Sequence, residues 1–188
     1  MKIVQKTAAI PKKRYNIDVM ETKKAKKLSI YALWLALAMM LSYVETLIPL
    51  RIGIPGAKIG LSNMVALSLL QLGRPGGAAL ISAARILLSG LLFGNLFSIF
   101  YSFSGFLLSF LTMLLMKRSG LFSTLGISIG GGVMHNAGQL LCAAALTGPY
   151  VMRYLPFLVP AGIAAGIVTG TAGAILLKRI SVALKDSM

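Results

Sequence analysis

The chain is 188 residues long, 57% hydrophobic and only 12% charged, yet it carries 19 Lys and Arg against 4 Asp and Glu, a formal net charge of +15. A water-soluble domain devotes about 25% of its residues to charge, so this composition excludes an ordinary soluble fold, and the apolar content excludes disorder. The basic excess does not point to nucleic acid either, because the cations gather at one terminus and at the ends of apolar runs, the pattern of a protein meeting an anionic leaflet.

Residues 1–27 read as a basic, polar tail holding Lys2, Lys6, Lys12, Lys13, Arg14, Lys23, Lys24, Lys26 and Lys27, interrupted by Pro11 and without the apolar periodicity of a packed element. The apolar run Leu28–Leu50 is 23 residues long. That exceeds the ~7–15 residues of a signal-peptide core and meets the ~20 needed to cross a bilayer, so it reads as a retained first membrane helix. Five further segments follow at Ile59–Gly73, Gly76–Phe93, Leu96–Met116, Leu121–Thr147 and Pro156–Leu177. The second is short; it begins inside the bilayer or follows re-entrant chain, which is tolerated where protein or a cavity shields it. The turns at 73–76 and 118–120 are tight and imply antiparallel neighbours, whereas 49–58 and 148–156 are longer connections on one face. The expectation is an all-α integral membrane protein: a bundle of six transmembrane helices over 28–180, with a short tail at 181–188.

Charge sets the orientation. With six spans, 15 cations fall on the side of the two termini and 3 (Arg51, Lys58 and Arg153) on the other, with Arg85 inside a segment. The positive-inside rule then places both termini in the cytoplasm of a multi-pass plasma-membrane protein. The lone Cys142 excludes an intrachain disulfide and a multi-cysteine metal site.

Polar residues at membrane depth carry the functional signal. Arg85 lies about 14 Å along its segment, near the midplane. Glu45 is the one acidic residue in any apolar segment. The two either pair with each other or Arg85 serves an anionic or polar ligand. His135 and Gln139 share a helix face, with Asn136 adjacent; they are either satisfied interior residues or the polar wall of a cavity, to which Asn63 and Asn95 add. Arg51 and Lys58 are either solvated loop cations or readers of ligand charge at a cavity mouth. Ala32 and Ala36, and Gly162, Gly166 and Gly170, recur every four residues, the spacing that lets helix backbones approach closely. Such faces either pack the bundle or, on the first helix, dock another membrane subunit. No Walker A sequence and no paired carboxylates for Mg²⁺ are present, so catalytic residues, a metal site and a cofactor are not expected.

The runs KIGLSNMVALSLLQLGRPGGAALISAARILLSGLLFGN (Lys58–Asn95) and GGVMHNAGQLLCAA (Gly131–Ala144) resemble the Gx transporter family. That family is labelled heptaprenyl diphosphate synthase component I and is similar to the substrate-binding (S) components of bacterial energy-coupling factor (ECF) transporters. The resemblance covers about residues 28–180. It implies a six-helix bundle that captures a small molecule from outside, associates with a transmembrane coupling (T) subunit and two ATPases, and topples to release its cargo inside. Ala32 and Ala36 would then face the coupling subunit, the Arg51–Lys58 loop would be a lid, and Glu45, Asn63, Arg85, Asn95, His135, Asn136 and Gln139 would line the cavity. The label implies instead a membrane subunit associated with heptaprenyl diphosphate or menaquinone synthesis. Soluble prenyl synthases use Asp-rich Mg²⁺ sites, and this chain has only Asp18 and Asp186, both in the tails.

Overall fold

The computed structural model describes the backbone of residues 12–47 and 60–185, and side-chain surroundings over 21–47 and 60–179. Among the described residues the secondary structure is helical: α1 (Lys12–Leu47), α2 (Asn63–Gln71), α3 (Pro75–Phe93), α4 (Leu96–Ser119), α5 (Thr124–Thr147) and α6 (Leu155–Lys185), with a 3-10 turn at Pro149–Tyr154 before α6. The chain divides into two compact units, residues 1–33 and 34–188.

In the first unit the helix starts at Lys12, so the later half of the expected basic tail is helical rather than irregular. The residues explain this difference: Lys, Arg, Met, Ala and Glu are good helix formers, and Pro11 stands just before the start, where its missing N–H costs nothing. Charge punctuated by good formers needs no apolar stripe to be helical. Lys27 lies 5.9 Å from the centre of the Tyr31 ring.

In the second unit α3, α4, α5 and α6 coincide with the expected segments to within a few residues at their starts. Local signals set the ends. Pro75 opens α3. The Asn95 side chain accepts from the Ser98 N–H and Ser98 returns the bond, a capping box that starts α4. Ser123 caps α5, and Gly120, at φ +69, closes α4 in the left-handed conformation that favours glycine.

Among the described residues four helical stretches are long and apolar enough to cross a membrane: Glu21–Leu47, Pro75–Phe93, Leu96–Ser119 and Pro149–Arg179. Six were expected. Helix α2, with 9 residues, is about 13 Å long and too short. Helix α5 has the length but dilutes its hydropathy with His135, Asn136 and Gln139.

The exposed surface is far more apolar than that of a soluble protein, and polar side chains are buried. On α4, Phe103, Leu107 and Leu111 are exposed, while Ser109 on the opposite face is 2% exposed. Buried polar residues include Ser42, Ser82, Arg85, Ser128, His135, Asn136, Gln139 and Thr169. They lie beside an apolar core that includes Leu67, Leu70, Met113 and Ile127, and the apolar outer surface matches a hydrocarbon solvent.

Helices α4, α5 and α6 pack most extensively. The spacing of Gly162, Gly166 and Gly170 packs the bundle: a Cβ at Gly166 would lie 2.5 Å from the Ile129 Cα, and one at Gly162 would lie 2.8 Å from the Val133 Cα. The α5–α6 seam is closed by a 2.9 Å hydrogen bond between Ser128 Oγ and Thr169 Oγ1. Ala32 and Ala36 are exposed on α1.

Candidate functional site: a charged cavity inside an apolar bundle

Helix α2 is the local key to the site. The chain enters it through Gly60, at φ +75, and its start is held by Glu45 near the end of α1. The Leu61 N–H donates to Glu45 Oε1, and Ser62 Oγ donates to Glu45 Oε2 at 3.2 Å. An anion at a helix start compensates unpaired N–H groups and the helix dipole. At the other end Lys117 Nζ, from α4, donates to the Leu70 carbonyl. A short helix with residues 65–70 buried is thus bracketed by opposite charges from two other helices, each on the end its dipole favours.

Between this helix, the end of α1, α3 and α4 lies a cavity of about 200 Å³. Its wall carries Arg85 and Glu45, the side chains of Asn63 and His135, and the hydroxyls of Ser42, Thr46, Ser62, Ser89, Ser98 and Ser102; Ile86 and Phe93 are its apolar members. A second cavity of about 20 Å³, room for a single water, is lined by Ser109, Ser128, Asn136 and Thr169, among others. Gly60, Asn63 and His135 line both, so the two spaces meet there.

Arg85 is 8% exposed and donates to Ser42 Oγ at 3.2 Å. Its charge and that of Glu45 act on each other across the cavity, but the carboxylate oxygens are bonded to Leu61 and Ser62. The alternative of a direct Glu45–Arg85 ion pair is therefore not realised among the described residues. Glu45 organises the α1–α2 junction instead, and Arg85 faces open space.

The expected site residues separate into three groups. Glu45, Asn63, Arg85 and His135 converge on the larger cavity, and Asn136 lines the smaller one while its Nδ2 donates to the Leu158 carbonyl at 2.9 Å. Two others sit elsewhere. Asn95 is exposed and spent on capping α4. Gln139 is 1% exposed against Gly105, with its Nε2 unbonded among the described residues. Arg51 and Lys58, with the loop 48–59, lie outside the described residues.

The hydroxyls were missed, although a signal for them exists. Ser42 precedes Glu45 by three positions and Ser89 follows Arg85 by four, so each shares a helix face with a charge. On α4, Ser98, Ser102, Gly105 and Ser109 recur at steps of four, three and four, a small polar stripe opposite the Phe and Leu face.

An apolar exterior enclosing a buried guanidinium and a cavity lined by charged and hydroxyl groups defines a helical, multi-span membrane protein. Compared with known families, the chain belongs to the one described as "Heptaprenyl diphosphate synthase component I", whose profile matches residues 34–176. The match covers α2 to α5 entirely and includes every side chain named above in the two cavities. Comparison with curated proteins returned no match, and neither did comparison with solved structures.

Proposed function

We propose that this chain is the membrane-embedded, substrate-binding subunit of an ECF-type transporter. It captures a small anionic or isoprenoid- or quinone-related molecule at the outer face for uptake driven by partner ATPases. The observation that supports this reading is Arg85: a guanidinium at membrane depth, buried, held by a single serine and facing a cavity. A charge in that position is expensive, and where it persists it marks a substrate or ion path. On the six-span topology that the charge bias suggests, the α3–α4 turn, and with it the cavity end of the bundle, would face outward from a bacterial plasma membrane. The exposed Ala32 and Ala36 would seat the coupling subunit, since small residues at that spacing permit close helix contact.

The test is to replace Ala32 and Ala36 together with Leu. We expect loss of copurification with a coupling subunit and ATPases while ligand binding is kept; normal assembly of the double variant would remove the docking assignment. The family description favours a second reading, a membrane subunit of prenyl diphosphate or menaquinone synthesis. Among the described residues no three His, Cys, Asp or Glu side chains gather into a metal-holding group, so in that reading this chain supports a catalytic partner. An unchanged rate of prenyl transfer when the chain is added to such a partner with Mg²⁺ would dismiss it.

A further inference from the structure

We infer that the larger cavity is shaped for a small, hydroxylated oxyanion, a carboxylate or phosphate ester on a short polar body, with Arg85, Asn63 and Ser102 as the groups that read it. This rests on the ligand-capturing reading above and narrows its cargo.

The argument separates polar groups already spent on the protein from those that are not. Around the cavity most are spent. Glu45 holds Leu61 and Ser62. Thr46 Oγ1 donates to the Tyr43 carbonyl, Ser89 Oγ to the Ile86 carbonyl, and Ser98 is closed into the α4 cap. What remains uncommitted among the described residues is the rest of the Arg85 fork, the Asn63 amide and the Ser102 hydroxyl. These come from α3, α2 and α4, three different helices, and converge on one space. A guanidinium donates and never accepts, while a hydroxyl and an amide can do either, so Arg85 sets the demand, which is for an acceptor. The Glu45 carboxylate offsets part of the Arg85 charge from across the cavity but is not bonded to it, so the guanidinium keeps donors for an incoming group. An oxyanion answers that demand, and planar bidentate pairing with carboxylate or phosphate is what a guanidinium does best.

Size excludes a polyprenyl tail from this space. The volume is about 200 Å³, below the ~300 Å³ at which pockets for drug-sized ligands begin.

Calorimetric titration of the full chain, in phosphatidylcholine nanodiscs, tests this with four probes. Glycerol, D-glycerate and glycerol 3-phosphate share one short hydroxylated body and differ in charge; farnesyl diphosphate carries the oxyanion on an apolar tail. We expect D-glycerate, glycerol 3-phosphate or both to bind, glycerol not to bind, and farnesyl diphosphate to bind more weakly than the better small anion. Whichever small anion is tighter identifies the cargo as a carboxylate or a phosphate ester. Arg85→Gln should weaken that binding about 10- to 100-fold, as loss of a charge-assisted hydrogen bond does, and Ser102→Ala roughly 2- to 10-fold. Arg118→Gln, which removes an exposed cation at the far end of α4, should leave it unchanged. If Arg85→Gln does not yield a monodisperse protein, Asn63→Ala with Ser102→Ala carries the test. Tightest binding by farnesyl diphosphate, binding by glycerol, or equal affinity in the Arg85 and Arg118 variants would overturn the proposal. Silence of all probes in a chain that still copurifies with a coupling subunit and ATPases would overturn this cargo while leaving the transporter reading intact.

Discussion

The two halves of the 34–188 unit are held together by different physics. Where α4, α5 and α6 meet, backbones touch: Gly132 faces Gly162 and Gly166, Gly138 faces Ser104 and Gly105, and the seam contains a hydroxyl pair. Where the end of α1, α2 and α3 meet, no glycine among the described residues lies against the backbone of another helix. Charged side chains bridge to a 9-residue helix, and about 200 Å³ stays open. Hydrocarbon supplies no hydrophobic force between helices, so packing and hydrogen bonds must do the work. The glycine half maximises packing. The cavity half forgoes it and relies on electrostatics in a low-dielectric setting, where each bond to a charge counts for more. The division assigns a scaffold to one half and an open space lined by charged and hydroxyl groups to the other.

The sharpest way to break this contrast is to give the scaffold a side chain. Gly166→Leu forces atoms into the α5 backbone at Ile129, which cannot yield as a flexible side chain does. We expect a loss of about 3 kcal/mol, read as a collapse of the thermal midpoint in detergent or failure to elute as a single species. Second in size is Glu45→Ala, which strips the Leu61 N–H and Ser62 Oγ of their acceptor. An orphaned, partly buried donor costs about 2 kcal/mol. Glu45→Gln keeps an acceptor and should recover more than half of that. Equal losses in the two variants would show that charge, and not the hydrogen bond, anchors α2. Smaller again is Asn95→Ala, at about 1 kcal/mol for loss of an N-cap. It should lower the midpoint without touching probe affinity, because the side chain caps α4 and lines neither cavity.

Much of this was legible before any coordinates. Apolar runs of membrane length, closed by Pro75, Asn95, Gly120 and Ser123, delimit α3 to α5 because those residues act locally. Arg85 and Glu45 stand out because charge in a hydrophobic segment is costly wherever it lies. Their partners were not legible. Whether a carboxylate meets a guanidinium or a helix start depends on how α1 crosses α2, and no local residue pattern encodes that crossing. The helical state of residues 12–27 was hidden for the opposite reason: helix propensity there is spread over many cations and carries no periodic stripe. Asn95 misled because a polar residue opening a membrane segment looks alike whether it caps the helix or faces a ligand.

The smallest effect tests the cavity half most closely. Lys117→Met removes the cation from the end of α2. The Leu70 carbonyl keeps its bond from the Gly73 N–H, 3.0 Å long, and Lys117 is only partly buried, so the expected loss is about 0.5 kcal/mol, the scale of a charge at a helix terminus. Its value lies in combination with Glu45→Ala. The two side chains grip opposite ends of α2, about 13 Å apart along the helix, and changes separated by more than ~10 Å add to within ~0.5 kcal/mol when the structure between them is passive. Additive losses would show that α2 is a rigid strut whose ends are fastened independently. A double variant that loses clearly more than the sum would show that the helix lets go as one piece, and that the wall bearing Asn63 has two settings rather than one.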